Sequence, residues 1–490
     1  MVGEHLGTSQ FVFKEAPGDV NLKDPLWKMP EMGIFTSFLR KYLISREVDL
    51  VVHSWKDLPT ETDGLTEIVG TMDRADPRDL LIVSKEALKK VAGKTFVVLS
   101  SSPRRQFNLP EFLKKSIPGI QKIEFKDVRG NIQTRLSKIG SEGDALIVAK
   151  AAIDRFLLAK DDPEFAETAA LVRSKLDECR WQILPLSVNP TAAAQGALAV
   201  EMSSHPDLAH LREAVAAALP GEVSAVNTER AILQQLGGGC HQRIGCTILD
   251  RPYGRVTFLR GQTDGMDAET FVRKVDQPGE RPIVTNACQI GGKGGIQFFT
   301  RQDLCVGRKI LQSLEPRSSG LFVAKADALP TGDIPDRPVW TSGVETWFAL
   351  AKRGIWVNGT SDSLGEEEPM AIHPLVPEPV EWIKVSHTAT QDPNTANQHY
   401  TIPTYKLIPH PEMTRELLMS KTSGKESFFF SSGSSFDAFC EFLPEMLQLF
   451  KTGEVPIGCG PGNSFKHIRR SVPNVIVAYD FADFTNNSRQ

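Results

Sequence analysis

Cysteine is scarce and scattered in this chain. The 490 residues hold 7 cysteines, at positions 179, 240, 246, 288, 305, 440 and 459, an odd number without a CxxC pair. That pattern argues against a disulfide framework or a zinc site and for reduced thiols in a cytoplasmic protein. Positive charge is not in excess either. With 56 Lys and Arg against 60 Asp and Glu, the net charge is −4 and the pI is near 6.3. Such a chain has no general basic field for nucleic acid or an anionic membrane, so any anion site must be a local gathering of Arg and Lys. Long apolar runs are missing as well, none approaching the ~18 residues that span a bilayer. The N-terminus Met-Val-Gly-Glu-His-Leu lacks the basic and apolar regions of a signal peptide. What is present is ordinary globular composition, 41% apolar and 24% charged. The length suits about three to five domains. Neither nucleic acid, membrane nor metal is expected as a partner, and a monomer is expected.

The stretch Val51-Val-His-Ser-Trp-Lys-Asp-Leu-Pro59 is the densest in chemistry. Leu50 to Val52 follows a helical pattern (Ile34, Phe35, Phe38, Leu39, Tyr42, Leu43) and reads as a buried parallel strand. It breaks at His53, Ser54, Lys56 and Asp57, where an open α/β sheet would place a ligand, beyond a strand's carboxyl end. Alone, this segment is better read as a turn with solvated charges. Four others change that reading: Ser100-Ser-Ser-Pro-Arg-Arg105, Asp127-Val-Arg-Gly-Asn-Ile-Gln-Thr-Arg-Leu136, Ala194-Gln-Gly-Ala-Leu198, and Thr228-Glu-Arg-Ala-Ile-Leu-Gln-Gln-Leu-Gly-Gly-Gly-Cys240. Around them, Phe96–Leu99, Ile123–Val128 and Ala145–Ala149 read as parallel strands, each followed by a helical pattern. Ser102 and Pro103 suit the N-cap and N1 of a helix whose first turn carries Arg104 and Arg105, so guanidinium groups and backbone N–H groups would converge on one anion. Glu222 to Leu236 reads as an apolar-striped helix ending in Gly237, with Cys240 on the glycine-rich loop beyond. Gly291-Gly-Lys-Gly-Gly295 reads as a turn without the spacing of a phosphate loop.

Taken in order, these five motifs resemble porphobilinogen deaminase, the hydroxymethylbilane synthase family, from about Gln10 to about Lys274. The resemblance implies an α/β fold with two periplasmic-binding-protein-like lobes, residues 1–80 with 181–220 and residues 81–180. A small α+β third domain over 221–314 would carry the cofactor cysteine. The family opens on a strand and a helix whose Arg and Ser contact the cofactor. This chain starts inside that helix, so the first domain is expected to be N-terminally incomplete. Met32 stands where the family has a cation, and Lys28 nearby is retained.

The implied substrate is porphobilinogen, a pyrrole with an aminomethyl group, an acetate and a propionate. Loss of ammonia leaves an azafulvenium cation, which the free α-carbon of a growing pyrrole chain attacks. The implied cofactor is a dipyrromethane joined to Cys240 as a thioether, a primer for four substrates. Asp57 is the implied catalytic residue, a negative charge aimed at the cation and at pyrrole N–H groups. Lys28, Ser54, Lys56, Ser101, Ser102, Arg104 and Arg105 would hold the cofactor. Arg129, Arg135 and Gln195 would hold substrate, the guanidinium forks gripping carboxylates in a way lysine cannot.

Beyond a linker at Pro316 to Gly320, the runs Leu321–Ala324, Ile355–Asn358, Ser427–Phe430 and Val455–Gly458 alternate with helical patterns in a further α/β unit over 321–490. Trp356-Val-Asn-Gly-Thr-Ser-Asp-Ser-Leu-Gly365, Phe429-Phe-Ser-Ser-Gly-Ser-Ser435 and Ile457-Gly-Cys-Gly-Pro-Gly-Asn463 resemble uroporphyrinogen III synthase, a lyase. By that resemblance Ser431, Ser432, Ser434, Gly460 and Asn463 would hold the carboxylates of a linear tetrapyrrole. The family often has a tyrosine shortly after Phe-Phe-Ser, where this chain has Phe436-Asp437. The segment is shorter than a two-lobed synthase, and weak synthase activity is the expectation. Glu366-Glu-Glu368 and Gln391–His399 read as solvated loops. The alternative for the whole chain is a catalytically impaired two-lobed protein that binds anionic tetrapyrrole precursors.

Overall fold

A computed structural model describes residues 34–60, 63–91, 93–237, 243–263, 269–279, 282–305, 319–330, 336–387 and 400–486, with Gln10, Val12 and Lys309. Lys28, Met32, Cys240, residues 316–318 of the expected linker and the 391–399 loop lie outside the described residues. The chain forms two compact units. The first comprises Met1–Lys114, Gly119–Ile248 and Phe258–Val272, and the second comprises Lys115–Pro118, Leu249–Thr257 and Arg273–Gln490.

In the first unit the helix Ile34–Ile44 leads into strand β1 (Leu50–Ser54). Arg40 on this helix reaches Thr66, Asp63 and Glu201, pinning it to the sheet. Strands β1 and β2 (Thr66–Thr71) flank β8 (Leu198–Ser203), and both pair with it antiparallel. The expected parallel strand is therefore antiparallel. Its partner comes from the return of the chain, far along the sequence, which no local pattern announces. Nor is β1 buried on both faces. Val52 is 51% exposed while His53 is 4% exposed, the alternation of a strand covered on one side.

A second sheet has the order β5-β4-β6-β3-β7. It is made of β3 (Asp79–Ser84), β4 (Thr95–Leu99), β5 (Lys122–Lys126), β6 (Ala145–Ala149) and β7 (Cys179–Ile183). Strand β4 runs parallel to β5 and β6, as the helical crossovers dictate, and β3 runs antiparallel to β6 and β7. Leu80, Leu81, Ile82 and Val83 of β3 are wholly buried, a continuous apolar run in the sheet interior. At the edge, β5 alternates charged exposed residues with half-buried ones. The chain passes between the two sheets twice, over residues 72–78 and 184–197. Strands β9 (Gly245–Arg251), β10 (Gly254–Gly261) and β11 (Thr270–Asp276) make a separate sheet of order β11-β10-β9.

The second unit contains two sheets where a single segment too short for two lobes was expected. Strands β12 (Ala287–Ile290), β19 (Ser427–Phe430), β20 (Ile457–Cys459) and β21 (Ile476–Val477) form one, wholly parallel, in the order β12-β19-β20-β21. The other has the order β13-β18-β17-β14-β15-β16. It uses β13 (Phe299–Asp303), β14 (Ser319–Val323), β15 (Val339–Thr341), β16 (Gly359–Thr360), β17 (Glu381–His387) and β18 (Tyr400–Pro409). Strands β12 and β13 thus belong to this unit, although the sequence reading assigned them to the preceding domain. Residues 355–358 are not a strand: Asn358 caps Val339 through its side chain, and pairing begins at Gly359, under the Trp340 ring. The acidic run is solvated only at Glu367. Glu366 pairs with buried Lys384 at 2.6 Å, Glu367 with Lys466, and Glu368 with Arg251 through both oxygens.

Candidate active site

The first unit's charged centre is built on a residue outside the five motifs. Asp79 opens β3 and is 0% exposed. Its Oδ1 accepts from Arg105 Nη2 at 2.6 Å and from Gln195 Nε2 at 2.8 Å. Its Oδ2 accepts from Arg105 Nε at 2.9 Å, Arg104 Nη2 at 3.0 Å and Asn189 Nδ2 at 2.8 Å. Burial alone would push this carboxyl up, but the Arg105 and Arg104 guanidinium groups and Gln195 hold it far below the ordinary carboxylate value. Arg104 also donates to Asn189 Oδ1 and the Pro190 carbonyl. The helix Pro103–Asn108 does start with Pro103 after Ser102, yet it turns both arginines inward. Instead of meeting a bound anion first, they meet a protein carboxylate, since a charge in the dry interior persists only when paired.

The opening motif folds back on this centre. Trp55–Asp57 is a single 3-10 turn whose indole is buried with Leu58, Ala194, Ala197, Ala199 and Val226. The Trp55 N–H donates to the Ala197 carbonyl at 3.1 Å. Lys56 is half-buried and its Nζ donates to Gln195 Oε1 at 3.3 Å. Burial pushes the ammonium below its ordinary value, Asp57 opposes that, and Arg105 adds to it. Asp57 itself is exposed. Gln195, expected to hold substrate, is 1% exposed and bridges Lys56, Asp79 and the Pro77 carbonyl. Its contacts make it a spacer between charges.

The third motif supplies Arg129 and Arg135. Gly130, at φ +106°, makes the turn between them, and Asn131 caps the next helix by accepting from the Thr134 N–H at 2.9 Å. Arg135 is half-buried and donates from Nε to the Gly130 carbonyl at 2.7 Å. Burial lowers its affinity for its proton, Arg105 and Arg129 lower it further, and Asp57 opposes them. Arg135 is thus within electrostatic reach of Arg105, Arg129 and Asp57, and Lys56 within reach of Asp57 and Arg105. Ser101 is engaged elsewhere, closing a two-way bond with Val128 at 2.7 and 2.8 Å. The side chains of Ser54 and Ser102 cap no helix, although both occupy cap positions.

Sequence reasoning missed three further groups. Arg74 grips Glu229 through both oxygens, at 2.7 and 3.0 Å, and Glu229 also accepts from the Ala194 and Ile248 N–H groups. Burial raises the Glu229 carboxyl above its ordinary value despite Arg74. Arg78 holds Asp76, and buried Lys150 pairs with Asp154 and lies 3.5 Å from Asp76. The signal was the charge-dense run Asp73-Arg-Ala-Asp-Pro-Arg-Asp79 directly before an apolar strand.

In the second unit, Ser432 caps the helix Gly433–Phe442 and lies 2.8 Å from the Ser435 hydroxyl and 3.3 Å from that of Ser434. The Ser431 N–H donates to the Ile290 carbonyl, and Ser464 donates to the Ser431 carbonyl at 3.5 Å. Residues 431–435 and the Gly460–Asn463 loop therefore share the carboxyl end of one parallel sheet. Asn463 opens the helix Asn463–Arg469. Asp437, at the position where a tyrosine was sought, meets His467 Nε2 at 2.8 and 2.9 Å. From the other sheet, Gly365 comes so close to Gly462 that an added Cβ would lie 2.6 Å from its Cα.

Residues 2–210 match the family model described as porphobilinogen deaminase, dipyromethane cofactor binding domain. The porphobilinogen deaminase of Caldicellulosiruptor saccharolyticus is 33% identical over 257 residues, 51% of this chain and 79% of that protein. That of Synechococcus elongatus is 34% identical over 297 residues, 58% of this chain and 82% of that protein. The chain belongs to the porphobilinogen deaminase family. Among solved structures, the uroporphyrinogen III synthase of Thermus thermophilus is 14% identical with a TM-score of 0.24, covering 39% of this chain and 90% of its own. An arginine-transport periplasmic binding protein of Legionella pneumophila is 14% identical with a TM-score of 0.18, over 40% and 72%. Likeness at those scores carries no argument.

For a deaminase family member the cofactor is a dipyrromethane, with acetate and propionate carboxylates on its rings. The donor chemistry fits: Lys56, Arg105, Arg129 and Arg135 gather in a chain whose net charge is −4. The helix Ser224–Gln235 and the left-handed Gly237 precede the segment that bears Cys240. Among the described residues no helix is long and apolar enough to cross a membrane.

Proposed function

We propose that this chain is a hydroxymethylbilane synthase that polymerises four porphobilinogen molecules, releasing ammonia from each, on a dipyrromethane held through Cys240. The observation that carries this reading is an exposed carboxylate, Asp57, on the turn whose Lys56 donates to Gln195 at 3.3 Å, the same Gln195 that joins Arg105 and Arg104 on Asp79. When bound, the dipyrromethane supplies the pyrrole α-carbon from which the chain grows. Asp57 accepts pyrrole N–H bonds and faces the positive charge that develops as ammonia leaves, the kind of preorganised electrostatic stabilisation that usually dominates catalysis. The acetate and propionate groups of incoming substrate go to Arg129 and Arg135. Arg105 and Lys56 lend positive potential to the cofactor's carboxylates while Asp79 and Gln195 fix their positions.

The test is the intact mass of protein made in cells that produce porphobilinogen. We expect a dipyrromethane adduct that disappears in Cys240→Ser, together with all tetrapyrrole formation. Active enzyme with unmodified Cys240 removes the reading. Protein that binds porphobilinogen without forming hydroxymethylbilane supports the impaired binding protein instead.

A second reading applies to the C-terminal unit, favoured by its two sheets and by the approach of Gly365 to Gly462 beside the serine loop. Two sheets whose loops meet at Gly365 and Gly462, beside the hydroxyl-rich residues 431–435, suit a linear, carboxylate-rich tetrapyrrole, and we propose weak uroporphyrinogen III synthase activity there. Asp437 takes the place of the tyrosine, so water loss would proceed without a phenol at that position.

A further inference from the structure

The 3-10 turn that carries Asp57 ends at Leu58, and Pro59 follows without an N–H. The Trp55 carbonyl accepts the Leu58 N–H within the turn, whereas the carbonyls at a turn's end need partners from outside it. Arg230 supplies them and adds a second donor to Trp55. Its Nη1 donates to the Trp55 carbonyl at 3.3 Å and the Leu58 carbonyl at 3.2 Å, and its Nη2 donates to the Pro59 carbonyl at 2.5 Å. One planar guanidinium thus holds the backbone on both sides of Asp57.

The helix that bears Arg230 cannot easily drift. Its preceding residue, Glu229, is 0% exposed and accepts from Ala194 N–H at 2.8 Å and Ile248 N–H at 2.7 Å. Val226, one turn earlier, packs in the same cluster as Trp55 and Leu58. The same helix, Ser224–Gln235, runs toward the segment containing Cys240. We propose that Arg230 is a positioning residue for the deaminase reaction. It fixes the loop at residues 55–59 so that the Asp57 carboxylate keeps one direction. The proposal rests on the function proposed above. Lysine cannot substitute fully, because an ammonium is a point donor and the three carbonyls need a fork.

The experiment uses the full chain with Arg230→Met and Arg230→Lys, each alone and combined with Asp57→Asn. Hydrogen exchange of the amides at 55–58 and 60 should speed up by about tenfold or more in Arg230→Met, as local opening becomes easier, while the buried strand Asp79–Ser84 keeps its protection. The turnover number should fall roughly 10- to 100-fold with KM little changed, the scale expected when a catalytic group is misplaced by about 1 Å. Arg230→Lys, which keeps the charge and the fold, should recover part of that loss. In the Asp57→Asn background, Arg230→Met should cost nothing more. Unchanged exchange at 55–60, or a loss that multiplies that of Asp57→Asn, overturns the proposal. If Asp57→Asn alone turns over like the wild type, the role assigned to Asp57 fails, and the exchange result still decides whether Arg230 holds the loop.

Discussion

Asp57 and Asp79 are both aspartates beside arginines, and their surroundings give them opposite work. Asp79 is enclosed and accepts five hydrogen bonds, so its charge is internally satisfied. Asp57 is exposed at the end of a short turn, so its charge can be offered to something else. We therefore expect Asp57→Asn to keep the fold and the primer while losing on the order of 100-fold in turnover, measured as hydroxymethylbilane formed per enzyme. A variant within a few-fold of the wild type would take Asp57 out of the mechanism. Asp79→Asn should do the reverse, costing about 3–5 kcal/mol of stability because two buried guanidinium groups lose their counter-charge. The sign of its pH dependence follows from a folded pKa held below the unfolded value of about 3.9. Stability from Asp79 is present above that unfolded value and fades as pH falls through and below it. The gap in melting temperature between wild type and Asp79→Asn should thus be full at neutral pH and narrow in strong acid. A gap that stays constant down to about pH 2 would contradict the pairing described for Asp79.

At the scale of elements, the sequence revealed what is local. The strands at 95–99, 145–149 and 427–430 and the helix at 224–235 follow from apolar runs, caps and glycines in their own neighbourhoods. The antiparallel pairing of β1 with β8 was not legible, because it depends on a strand that returns after another whole sheet has formed. The inward turn of Arg104 and Arg105 was hidden for a similar reason, since their partner Asp79 lies on a different strand. Gln195 shows how a binding motif can become a spacer. It sits between Ala194 at φ +66° and Gly196 at φ +90°, and a Cβ on Gly196 would strike the Ala75 carbonyl. Gly196→Ala should therefore destabilise the first unit by about 1–3 kcal/mol through backbone strain. It should also weaken turnover by shifting the Gln195 link to Lys56. Chemical denaturation checks the first effect, and a stability equal to the wild type would show that the loop can relax.

At the scale of the whole chain, the charge balance correctly directed attention to local clusters of arginine, whereas the division of the C-terminal half was misread. Strands β12 and β13 precede the expected linker, yet they pair with β19 and β18, more than a hundred residues later. Counting residues from 321 onward therefore missed part of both sheets. The correction also changes how synthase activity should be tested. A truncation after residue 316 would leave β12 and β13 behind without their partners β19 and β18, so its failure would say little about the loops. A substitution at the closest approach of the sheets is more informative. Gly462 has φ +79°, and its missing Cβ leaves room for Gly365, so Gly462→Leu should force the loops apart at their meeting point. Hydroxymethylbilane left in water closes to the type I isomer, whereas a synthase inverts the last ring and gives type III. We expect full-length protein fed porphobilinogen to yield some type III product. Gly462→Leu should yield type I alone at an undiminished rate of porphobilinogen consumption, because Asp57 and its arginines lie in the first unit. The isomer ratio of the oxidised uroporphyrins measures this directly, and type I alone from the unsubstituted chain would assign the C-terminal unit a role other than ring closure.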